Sequence, residues 1–152
     1  MFSAWGDHAR RLTEHVTVLS TPENGAYPSG NSLLVQGAGE TVIVDPSITV
    51  VDLGVEAPVD AVINLAGAGL ADRRWTRAYK KEIFASRVAL TGRLVDWMRS
   101  QSTPPVRLIS ASAIGYYGAS EDGVFSEDAP SGGGFSAELC RQWEESALCA
   151  QD

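Results

Sequence analysis

Val59-Asp-Ala-Val-Ile-Asn-Leu-Ala-Gly67 is the stretch whose reading decides the fold. Its run of β-branched and aliphatic residues ends in a turn of small residues. That is the pattern of a buried parallel strand presenting flat backbone at its carboxyl end, and open α/β sheets bind ligands there. A helical pattern follows over residues 75–101, and then a second apolar strand, Val106-Arg-Leu-Ile-Ser-Ala-Ser112, which again ends in small and hydroxyl side chains. Strand, crossover helix and strand put both loaded ends on one edge. The helix carries a core-facing stripe of Tyr79, Ile83, Leu90, Leu94 and Met98 at helical spacing, and Pro104-Pro105 then stops it.

Residues 1–52 have another texture. Val16-Thr-Val-Leu19, Asn31-Ser-Leu-Leu-Val-Gln36 and Thr41-Val-Ile-Val-Asp45 read as strands, the last two joined by the turn Gly37-Ala-Gly39-Glu40. Between the first two lies Thr21-Pro-Glu-Asn-Gly-Ala-Tyr-Pro-Ser-Gly30, a loop dense in turn formers. The expectation is an antiparallel β-meander. Gly37 and Gly39 do not make a phosphate-binding fingerprint, because the third position is Val42, inside a strand, and no helix opens behind it.

The chain of 152 residues is long enough for a real core, and its net charge of −7 repels nucleic-acid backbones and anionic membranes. A local basic patch, Arg73-Arg74 through Lys80-Lys81, remains compatible with a phosphate. No apolar run approaches the roughly 18 residues of a membrane span, and the first residues are not built as a signal peptide, so the expected location is cytoplasmic. Cys140 and Cys149 fall nine positions apart on one predicted helix, on opposite faces, and read as small buried hydrophobes.

Two resemblances add to this reading. Residues 1–52 resemble the opening of metallo-β-lactamase-fold proteins through Gly30-Asn-Ser-Leu-Leu-Val35 and Thr41-Val-Ile-Val-Asp45, but the His-x-His-x-Asp-His run of that family is absent. The two histidines, His8 and His15, both lie upstream, so no metal site is expected. Residues 53–152 resemble the atypical extended short-chain dehydrogenase/reductases, the NAD(P)-dependent epimerase-like proteins. The match rests on residues 60–67, Arg74-Trp-Thr76, Ser86-Arg87, Ser110-Ala-Ser-Ala-Ile-Gly-Tyr-Tyr-Gly118, Ser126-Glu-Asp128 and Phe135-Ser-Ala-Glu-Leu-Cys-Arg-Gln-Trp-Glu144, in that order.

The second resemblance implies a partial Rossmann-like parallel sheet with crossover helices, here preceded by the β-meander. It implies NADP or NAD as cofactor, with Asn64, Leu65, Ala66 and Gly67 beside the adenosine half and Ser110, Ala111 and Ser112 beside the nicotinamide ribose. Small side chains admit a planar ligand and hydroxyls can bond ribose. Arg87 either meets a ribose or phosphate or is a solvated helix charge. Ser112 and Tyr117 are the catalytic candidates, and Trp75 and Trp143 either line a pocket or pack as core or rim.

Three departures from the family pattern argue for an incomplete or fused fragment, with a junction within residues 50–57. The Gly-rich pyrophosphate turn is replaced by the meander, later strands and the substrate-binding end have no counterpart, and no lysine follows Lys81 to activate a phenol. Cofactor binding is therefore expected to be weak or lost and turnover weak or absent, with an unknown small-molecule substrate. Serine hydrolase chemistry at Ser112 is excluded, because no Gly-x-Ser-x-Gly elbow surrounds it and no histidine follows it.

Overall fold

A computed structural model describes residues 4–20, 30–55 and 57–151. Its strands are β1 (Ala9–Arg11), β2 (Val16–Leu19), β3 (Ser32–Gln36), β4 (Thr41–Val44), β5 (Ala61–Asn64) and β6 (Arg107–Ser110). They form one six-stranded sheet in sequence order. β1 to β4 pair antiparallel, and β4, β5 and β6 pair parallel. The expected meander is present, its β3–β4 turn closed by Gly37 N–H donating to Glu40 O at 2.8 Å. The turn-rich loop at residues 21–30 lies almost wholly outside the described residues.

Each parallel step is made by a helical crossover, as parallel pairing requires. Helix α1 (Ile48–Leu53) joins β4 to β5. The step from β5 to β6 is a longer helix: α2 (Arg77–Phe84), a π-helical turn over Ala85–Ala89, and α3 (Leu90–Ser100). Thr76 caps it, its hydroxyl accepting from Tyr79 N–H. A 3₁₀ turn at Ile114–Tyr117 and helix α4 (Phe135–Leu148) follow β6.

The expected core stripe is buried throughout. Leu94 and Met98 of α3 and Val50 of α1 lie in one cluster with Leu19, Leu34, Ile43 and Val62 from a single face of the sheet, while Tyr79 and Ile83 pack with Leu139 of α4. That stripe covers one sheet face only. Along β5 burial alternates rather than running continuously, and on the edge strand β6 Ile109 is 56% exposed. The two strands are therefore half-buried, not buried on both faces as their apolar runs suggest.

Three further features depart from expectation. β1 pairs with β2, extending the sheet by a strand whose sequence, Ala-Arg-Arg, carries no apolar alternation. β4 leaves the meander and pairs in parallel with β5 through helix α1. Cys140 is buried as expected, but Cys149 lies just beyond α4 and is exposed.

Candidate functional site

The parallel strands β5 and β6 run side by side, with Asn64 opposite Ser110. Ala111 N–H continues the ladder by donating to Asn64 O at 2.9 Å. Asn64, Ser110 and Ala111 thus form a shelf at the carboxyl edge, from which residues 65–67 and Ser112 lead away. Its surface is mostly backbone and small side chains, with Leu65 55% exposed on top.

The Asn64 side chain faces inward. It is buried, and its amide donates to Thr91 Oγ1 at 2.9 Å and to Ser110 Oγ at 3.4 Å. Trp143 Nε1 donates to the same Thr91 oxygen at 3.0 Å, so one hydroxyl ties β5, α3 and α4 together. Trp143 is therefore core. At this position a ligand would meet the backbone, not the carboxamide.

Arg87 is not a solvated helix charge. The π turn directs Ser86 and Arg87 toward the loop after β5, where Ser86 Oγ accepts from Ala68 N–H at 3.0 Å and Arg87 Nη1 donates to Ala68 O at 3.1 Å. The guanidinium also lies 5.4 Å from the Trp143 ring centroid, and a Cβ on Gly67 would sit 2.6 Å from its Cζ. Gly67 is what lets the cation close over the loop. Burial lowers the Arg87 pKa from its ordinary value, an effect only partly opposed by Cys140 and Tyr79.

Ser112 and Tyr117 are brought together. Both line a cavity of about 380 Å³ with Ala113, Ile114, Tyr116, Glu127 and Glu144. Ser112 Oγ donates to Glu144 Oε1. Tyr117 stacks on Phe125 at 5.0 Å between centroids, and Tyr116 meets it edge-on at 5.3 Å. The Tyr117 ring is therefore held as part of an aromatic wall. Cys140 is buried, and that burial pushes its thiol pKa up. Glu127 and Glu144 were not among the residues picked from sequence. The signal was present for Glu144, a carboxylate four positions after buried Cys140 on the same helix face.

Asp45 was also missed. It follows β4 with φ of 55°, and its N–H donates to Ile63 O at 2.7 Å, across the end of β5. One carboxylate oxygen is buried without a partner. Burial raises the Asp45 pKa, partly offset by the Leu65 N–H. In a parallel sheet this crevice is where a dinucleotide pyrophosphate would need N–H donors. Here β4 is followed by Asp45-Pro46-Ser47 and a helix of six residues, not by a Gly-rich turn opening a long helix.

Over residues 10–135 the chain matches the NAD dependent epimerase/dehydratase family. The chain belongs to that family. Among curated epimerase family proteins it is 48% identical over 92 residues to the chloroplastic SDR39U1 homolog of Arabidopsis thaliana, covering 59% of this chain and 26% of that one. To an epimerase family protein of Mycobacterium bovis it is 42% identical over 93 residues, covering 61% and 30%. The chain thus spans between a quarter and a third of the length of these relatives. Human epimerase family protein SDR39U1 (isoform 2), solved with NADPH, superposes with a TM-score of 0.58 at 28% identity, covering 65% of this chain and 34% of that one. The nucleoside-diphosphate sugar epimerase of Corynebacterium glutamicum gives 0.50 at 34% identity, covering 62% and 19%. The parallel β4–β5–β6 sheet with its helices is the architecture expected of such epimerase-family proteins.

Proposed function

We propose that this chain is an epimerase-type NAD(P)-binding unit that holds the nucleoside parts of the cofactor weakly and has little or no turnover of its own. The observation that carries the reading is the β5–β6 shelf, where Asn64 pairs with Ser110 and Ala111 N–H bonds to Asn64 O at the carboxyl edge. The NADPH bound by the human relative supports the choice of cofactor class. Asp45 weakens binding in this account, because a carboxylate stands where phosphate oxygens would be stabilised by donors.

Low turnover follows from the proton chemistry. In this reading Ser112 and Tyr117, which line one cavity, are the groups that would orient a carbonyl, but no lysine follows Lys81 to depress a phenol pKa. Glu144 holds the Ser112 hydroxyl in place instead. The test is NADPH consumption against a panel of carbonyl compounds and sugar nucleotides, comparing the native chain with Ser112→Ala. The expected result is no rate above background in either. Clear turnover that Ser112→Ala abolishes would overturn the inactivity.

A second reading concerns ancestry: residues 1–52 descend from the start of a metallo-β-lactamase-fold protein joined to the epimerase-like remainder, a reading that the epimerase family match beginning at residue 10 weighs against. The antiparallel β2–β3–β4 arrangement favours it, since the family pattern has a strand, Gly-rich turn and helix there. Sequencing the genomic locus across the codons for residues 45–60 tests it, and an uninterrupted epimerase frame upstream would contradict the junction.

A further inference from the structure

The basic patch noted in the sequence is not part of the shelf. Arg77, Lys80, Lys81 and Phe84 stand at helical spacing on one face of α2, and with Trp75 and Phe135 they line an open groove of about 570 Å³. Trp75 and Phe135 meet edge-to-face with centroids 5.5 Å apart, and Lys80 Nζ lies 5.0 Å from the Phe135 centroid. The Trp75 indole is fixed in orientation, its N–H donating to Leu70 O at 2.7 Å. Phe84 and Phe135 are half-buried, so the floor is apolar and the rim cationic.

This arrangement has a cost within the chain. Like charges at i,i+3 and i,i+4 repel, and cations in the first turn oppose the helix macrodipole. The nearby Glu82 pairs with Arg73 at 3.5 Å, and among the described residues no carboxylate pairs with Arg77, Lys80 or Lys81. In a chain of net charge −7, three uncompensated cations around an aromatic cleft call for an anion from outside. The volume falls within the range of small-molecule sites.

We propose that this groove binds an organic anion carrying a planar aromatic ring, the ring against Trp75 and Phe135 and its carboxylate or phosphate on Lys80, Lys81 and Arg77. The site is separate from the shelf and stands whether or not NADPH binds there. Trp75 is 39% exposed whereas Trp5, Trp97 and Trp143 are buried, so its indole N–H resonance is a selective reporter.

The test titrates the full chain with 1-naphthyl phosphate, 1-naphthoate, 1-naphthol and inorganic phosphate, following that resonance and the heat of binding. One or both aromatic anions should bind and shift Trp75, and which of them binds more tightly identifies the acid group. Lys81→Glu and Trp75→Leu should each weaken binding tenfold or more, with the NADPH titration unchanged. Binding of 1-naphthol or of inorganic phosphate as tight as the anions, no effect of Lys81→Glu, or no binding at millimolar concentration would overturn the proposal. So would sedimentation showing a dimer that Lys81→Glu dissociates, since the groove would then be covered by a second copy.

Discussion

The N–H of Asp45, the residue after β4, donates to the carbonyl of Ile63 at 2.7 Å and carries the parallel ladder to the end of β5, with one oxygen of the Asp45 carboxylate buried without a partner. An ordinary parallel sheet of this family would have N–H donors there. One consequence concerns stability: a carboxylate oxygen buried without a partner makes the ionised form unfavourable.

Asp45→Asn is expected to raise the melting temperature at pH 7. Burial raises the folded pKa of Asp45 above its ordinary 3.8, so the folded state holds this proton more tightly than the unfolded chain. Its contribution to stability is therefore present below that ordinary value and is lost as pH rises through the folded value. Asparagine tolerates the φ of 55° and carries no charge. Thermal melts from pH 3 to 8 should show the advantage of the variant growing with pH. A variant less stable at pH 7 would mean the carboxylate has a stabilising partner.

Thr91→Val should destabilise the protein by about 2–4 kcal/mol. It removes one acceptor at nearly constant volume, strands the buried Trp143 Nε1 and leaves Asn64 Nδ2 with only its longer bond to Ser110 Oγ, each loss costing about 1–2 kcal/mol. Urea unfolding measures this directly, and a loss under about 1 kcal/mol would show that the donors find other partners.

Gly132→Ala should cost about 2 kcal/mol and disturb the aromatic wall, because its Cβ would fall 2.1 Å from Tyr117 O, a backbone atom that cannot rotate away. Gly133→Ala is the control, since nothing lies within 4 Å of a Cβ there. Near-ultraviolet circular dichroism and thermal melts of the pair check the contrast, and equal behaviour would contradict the packing.

Much of the frame was legible because it rests on period. The Tyr79, Ile83, Leu90, Leu94 and Met98 stripe and the strand-ending turns at Gly67 and Ser112 are local patterns that packing did not override. What was not legible depends on long-range partners. The inward turn of Asn64 follows from Thr91, twenty-seven positions away, and the clamping role of Arg87 follows from a π turn that shifts helical phase. The parallel pairing of β4 with β5 was hidden because Thr41-Val-Ile-Val44 reads equally well as the last strand of a meander or the first of a crossover unit.

The central claim is most directly tested by titrating the native chain with NADPH while following backbone amide chemical shifts. The account predicts movement confined to residues 64–67 and 110–112, with a dissociation constant weaker than about 100 µM, or about −5.5 kcal/mol, and tighter binding in Asp45→Asn. Submicromolar affinity, or shifts centred away from those two strand ends, would contradict it.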